Sequence, residues 1–170
     1  GRVDHGLHAG DAQRALGDAA ALDEAVAAAM AMTDPEETLI VVTADHSHTL
    51  VMQGYPQRGN PILGLVKEGD RLVLAADGKP YTTLGFANGP GSICKKQDDD
   101  KWLCDRPDLT NVDTTALGFR QQSLIPMGSE THGGEDVAIF AGGPGANLFS
   151  GAMGQNEIFH VMARSLGLTR

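Results

Sequence analysis

The segment Thr38-Leu39-Ile40-Val41-Val42-Thr43 constrains this chain most. It is β-branched and apolar on both alternating faces, so as a strand it needs cover on both sides. A helix-forming segment precedes it. Over residues 11–32, Ala12, Ala15, Ala19, Leu22, Val26 and Met30 recur at steps of three and four, which marks one helical face. Alanine favours helix, and Asp34-Pro35 ends it. His8 continues the same stripe one turn earlier and is expected to point inward. Asp136-Val137-Ala138-Ile139-Phe140-Ala141 reads as a second buried strand. Gln155 to Leu166 reads as a last helix, with Ile158, Met162 and Leu166 inward and Gly167 as its stop. This order predicts an α/β fold, part of a mostly parallel central sheet with helices on both faces.

Between these elements the texture changes. Residues 54–64 read as an irregular loop, and residues 71–75 as a weak strand ahead of an Asp77-Gly78 turn. From about 85 to 122, Gly, Asn, Asp and Lys dominate and regular periodicity is lost. The expectation is an inserted, loop-rich surface subdomain over 85–122, with 1–84 and 123–170 forming one folded part around it. The 170 residues suit one domain and are short for two. A net charge of -9 argues against nucleic acid as a partner, because a phosphate backbone needs a basic face. No run of 18 apolar residues is present, so no transmembrane segment is predicted. The opening Gly1-Arg2-Val3-Asp4 is neither a signal nor a transit peptide.

Three patches carry metal-ligand chemistry. Asp45-His46-Ser47-His48 directly follows the first predicted strand, where ligands of open α/β sheets bind. Asp4 and His8 are spaced i, i+4. On a helix they share a face and can hold one cation, or Asp4 can cap the helix while His8 serves as a core histidine. His132 precedes Gly133-Gly134, which lets the backbone approach a ligand closely or simply makes an ordinary glycine loop, the reading that the segment by itself favours. His160, between Phe159 and Val161, reads as structural. Zinc takes imidazole nitrogen and carboxylate oxygen, usually four-coordinate. Neither cysteine lies near these patches, so a hydrolytic His/Asp site is the better reading than a thiolate structural zinc.

The blocks Asp4-His5-Gly6-Leu7-His8, Thr43-Ala44-Asp45-His46-Ser47-His48, Gly54-Tyr55-Pro56-Gln57-Arg58-Gly59-Asn60 and Glu130-Thr131-His132-Gly133-Gly134-Glu135-Asp136-Val137 resemble alkaline phosphatases in order and spacing. The resemblance runs nearly end to end, except near 85–122. It implies that Asp4, His8 and His132 bind a first zinc ion (Zn2+) and that Asp45 and His46 bind a second. It also implies that His48 hydrogen-bonds the Asp4 carboxylate and that His5 reaches bound phosphate through water. A magnesium ion (Mg2+) would be held mainly by residues outside this chain. The implied reaction is hydrolysis of a phosphate monoester through a phosphoserine intermediate. The nucleophilic serine motif of the family is missing, and neither Ser47 nor Ser92 has its flanks. The chain therefore reads as a C-terminal fragment, inactive alone, whose nucleophile lies upstream. The competing readings are a phosphodiesterase or sulfatase of the same superfamily, and a non-catalytic zinc-binding or dimerisation module.

Two further expectations follow. Cys94 and Cys104 are the only cysteines and lie inside the irregular segment. They could be unrelated thiols or half of a zinc knuckle, but two more ligands are lacking, and a disulfide is predicted. A disulfide implies an oxidising compartment, periplasmic or secreted. Relatives in this family are generally homodimers, so the resemblance implies a homodimer with the 85–122 region near its interface.

Overall fold

A computed structural model describes residues 1–168. Its elements form two compact units. The first comprises Gly1–Ala19 and His48–Gly133, the second Ala20–Ser47 and Gly134 onward. Among the described residues no helix is long and apolar enough to cross a membrane.

The first unit is organised by a three-stranded sheet in the order Leu50–Met52, Leu84–Gly89, Ser123–Pro126. The central strand, Leu84–Gly89, is buried almost throughout. Its Leu84 and Phe86 join Val66 and Leu109 in the core. Thus residues 85–89, at the start of the segment read as irregular, are the middle strand of a sheet. Further on, Cys94–Lys96 and Trp102–Cys104 make a small antiparallel hairpin. The Cys94–Cys104 disulfide closes it, and no free cysteine remains. The expected strand at 71–75 is reduced to Arg71–Leu72, paired with Lys67–Glu68. The turn after it forms with Gly78 at φ +74°.

Two helices open the chain. Arg2–His8 is followed at once by Ala12–Met32. Asp11 caps the longer one: its carboxylate accepts the Arg14 N–H at 3.0 Å and, from across the unit, the Gly118 N–H at 2.8 Å. Only Ala12 and Ala15 of the predicted stripe are buried, while Leu22 and Met30 stay exposed.

The second unit contains the strand pair Ile40–Val42 and Phe140–Gly142, the 3-10 turn Ala146–Leu148 and the helix Gln155–Ser165. The helix begins with the Glu157 carboxylate accepting the Gly154 N–H at 3.1 Å. Its buried residue is Ala163. Met162 and Leu166, expected to face inward, are exposed.

Among the described residues the expected mostly parallel central sheet is not found. The sheets are small and mostly antiparallel. Ile40–Val42 pairs antiparallel with Phe140–Gly142, and Leu50–Met52 pairs antiparallel with Leu84–Gly89. Leu84–Gly89 with Ser123–Pro126 is a parallel pair. The error has a physical source. Apolar residues on both faces of a strand report how much it can be covered, not the direction of its neighbour. Ile40–Val42 is in fact only half-buried.

Candidate metal centre

Asp4 and His8 sit one turn apart on the Arg2–His8 helix. That helix lies close against the next. A Cβ placed on Gly6 would fall 2.8 Å from the Ala15 backbone nitrogen, so only glycine allows this approach. The helix end is then tied to a distant segment from both directions. The Glu130 N–H donates to the His8 carbonyl at 3.0 Å, and His8 Nδ1–H donates to the Glu130 carbonyl at 2.6 Å. A carbonyl can only accept, so the Nδ1 position carries the proton and the neutral ring offers its Nε2 lone pair.

That Nε2 faces two other ligand-type atoms. It lies 3.3 Å from Asp4 Oδ1 and 3.2 Å from His132 Nε2. His132 Nε2 is 3.7 Å from Asp4 Oδ1. The three atoms form a triangle open on one side, with the His132 side chain half exposed. Tetrahedral zinc with bonds of about 2.0–2.2 Å separates its ligand atoms by about 3.3–3.6 Å. The triangle has the donor types and the size for such an ion.

His48 stands behind it. Its side chain is 6% exposed and each ring nitrogen meets a carboxylate. Nε2 lies 3.0 Å from Asp4 Oδ1, and Nδ1 lies 2.6 Å from Glu130 Oε2. Asp4, His48 and His132 offer ligand atoms within 4.8 Å of one another, and so do His8, His48 and Glu130. The three imidazoles also contact one another, at ring-centre separations of 5.0–5.3 Å.

The structure therefore gathers Asp4, His8, His48 and His132 in the first unit. Asp45 and His46 lie in the second, on the loop after Ile40–Val42. There His46 Nε2 is 3.6 Å from Asp45 Oδ2, and Gln155 Nε2–H donates to the Asp45 carbonyl at 3.3 Å. His5 is exposed on the first helix. His160 is exposed on the last helix, its ring edge-on to Phe159.

Sequence reading gave Glu130 no role, although it lies two residues before His132. Its side chain is wholly buried. A buried acid in a polar, glycine-containing loop is invisible to periodicity. The available signal was its place between a serine and a ligand-type histidine.

Comparison with known proteins identifies the family. The family model described as alkaline phosphatase matches residues 1–168. The chain is 46% identical over 163 residues to the tissue-nonspecific isozyme of alkaline phosphatase from Mus musculus. It is 44% identical to that from Gallus gallus and 42% to that from Homo sapiens. Each match takes in 96% of this chain and 29% of the relative, so the chain spans under a third of the length of these relatives. With the family model matched from the first described residue to the last, this chain belongs to the alkaline phosphatase family.

Proposed function

We propose that this chain supplies zinc ligands to an enzyme that hydrolyses phosphate monoesters through a phosphoserine intermediate. The observation that supports this most is the triangle of Asp4 Oδ1, His8 Nε2 and His132 Nε2, with sides of 3.3, 3.2 and 3.7 Å. In this reading those three residues hold one zinc ion. Asp45 and His46 contribute to a second, completed by residues outside the chain, as are most of a magnesium site and the nucleophilic serine. Two zinc ions, when bound, would stabilise negative charge on the attacking and leaving oxygens.

The chain's own groups prepare that site. His8 is held in one tautomer by the Glu130 carbonyl, so its Nε2 is ready to ligate. His48 hydrogen-bonds Asp4 Oδ1 and limits its rotation. Asp4 lies in the first turn of its helix, where a carboxylate is favoured by the helix dipole. His5, exposed on the same helix, reaches phosphate through water. The Cys94–Cys104 disulfide supports an oxidising compartment, periplasmic or secreted. The protein is a homodimer, with the segment that follows the Leu84–Gly89 strand, up to residue 122, near its interface.

The test uses the full-length protein. It is expected to contain zinc and to turn over a phosphate monoester far faster than a diester or a sulfate ester. His132→Ala should reduce turnover by at least about a hundredfold, in line with losing a metal ligand. His160→Ala should leave turnover nearly unchanged and act on stability alone. Preference for a diester or sulfate, or full activity in His132→Ala, would overturn the reading.

A further inference from the structure

The acid at the base of this site has an environment built for one purpose. The Glu130 side chain is fully buried, yet no lysine or arginine is paired with it among the described residues. A buried carboxylate needs its oxygens satisfied. Oε1 accepts two hydrogen bonds from one residue, the Thr49 N–H at 2.6 Å and the Thr49 hydroxyl at 2.7 Å. Oε2 lies 2.6 Å from His48 Nδ1, and His48 in turn holds Asp4. Its main chain pairs with His8 in both directions. The next residue is clamped as well. Asn88 Oδ1 accepts the Thr131 N–H at 3.0 Å, and Asn88 Nδ2–H donates to the Thr131 hydroxyl at 2.8 Å. Gly89 leaves the space that Glu130 fills: a Cβ there would lie 3.2 Å from Glu130 Cβ. One residue thus bears on two corners of the triangle and on the histidine behind it. Its side chain orients His48, its carbonyl orients His8, and its place in the chain sets His132 two residues on.

We propose that Glu130 is the positioning residue of the metal centre. Its carboxylate fixes His48, and through His48 the Asp4 ligand, in the geometry that takes zinc. The inference rests on the metal reading above. Partners that orient a metal ligand commonly change metal affinity by about 10–100-fold when removed.

The test measures zinc affinity by chelator competition in the full-length protein. It compares wild type, Glu130→Gln, His48→Asn and the double variant, with the melting of each metal-free protein as control. Glu130→Gln is expected to weaken zinc binding about 10–100-fold. If it acts through His48, the double variant should bind zinc within about threefold of the weaker single variant, because the two changes cut the same link. Thr49→Val removes only the hydroxyl bond to Oε1. It is expected to weaken zinc binding a few-fold while lowering metal-free melting only modestly, because the Thr49 N–H still donates to Oε1, and it decides the matter should Glu130→Gln fail to fold. Wild-type affinity in Glu130→Gln or in Thr49→Val would overturn the proposal and leave the metal reading standing. Independent, multiplying losses in the double variant would also overturn it. A wild-type protein that binds no zinc would overturn both.

Discussion

Gly6 decides how close the helix carrying Asp4 and His8 can come to its neighbour. Its missing Cβ would meet Ala15 backbone atoms at 2.8 and 2.9 Å, and backbone cannot step aside as a flexible side chain can. Gly6→Ala should therefore cost about 1–3 kcal/mol, the usual range for overpacking. It should also weaken zinc binding, because both ligands ride on the displaced helix. Gly17 is the matched control. It is exposed on the long helix and its Cβ would meet nothing within 4 Å, so Gly17→Ala should stabilise by about 0.5–1 kcal/mol. Chemical denaturation with parallel zinc titration checks both. Equal effects of the two substitutions would show that the approach at Gly6 is not tight. At this scale the sequence was legible in part. Spacing left Asp4 and His8 open between a shared ligand face and a cap with a core histidine, and it was the family blocks that singled out Asp4, His8, His48 and His132, whose side chains the fold brings together. Glu130 was not legible, because its importance lies in partners that only folding brings together. Thr49 and His48 are more than eighty residues away along the chain.

Elements show a different division. The span Ala12–Met32 was legible because helical periodicity is local. Strand direction was not, since Ile40–Val42 finds Phe140–Gly142 about a hundred residues later. The turn after Arg71–Leu72 carries a pH-dependent tie. The Arg106 guanidinium, bonded to Asp77 at 2.6 and 2.9 Å, holds the Asp77 carboxyl below its ordinary 3.8, with the Lys79 N–H adding to the effect. A carboxyl lowered by folding contributes stability above its unfolded value and loses it as pH falls through the folded value. Asp77→Asn should therefore lower the denaturation midpoint of the metal-free protein above about pH 4. The difference should shrink steadily below that pH. A difference that stays constant down to pH 2 would show that the pair acts by shape and not by charge. The neighbouring hairpin depends on its disulfide. Replacing Cys94 and Cys104 with serine releases a short loop, worth about 2.8 kcal/mol in the chain-entropy model. Hydrogen exchange of the Cys94–Lys96 and Trp102–Cys104 amides should accelerate accordingly, while that of Leu84–Gly89 should not.

Across the whole molecule the two units are unequally equipped. The first unit contains both the buried residues Val66, Leu84, Phe86 and Leu109 and the cluster Asp4, His8 and His132. Three protein ligands with one open position are the usual arrangement for catalytic zinc. In the second, two three-residue strands carry the sheet, and Met30, Phe140, Phe159 and Leu166 are exposed. A two-stranded sheet alone is marginal in water. The pair Asp45 and His46 sits on this weaker frame and offers only two ligands. The isolated 170-residue chain is thus expected to bind at most one zinc ion tightly and to release no phosphate from a monoester. Amides of Ile40–Val42 and Phe140–Gly142 should exchange faster than those of Leu84–Gly89, because the former pair lacks cover. Metal analysis after exhaustive dialysis, a phosphate-release assay and hydrogen exchange on one preparation measure all three. Zinc in the chain should disappear with His132→Ala, which removes one corner of the triangle. Sustained turnover by the isolated chain would require a nucleophile within these residues and would refute the assignment of that role to the rest of the protein. Two tightly held zinc ions would instead show that Asp45 and His46 find a third ligand within this chain.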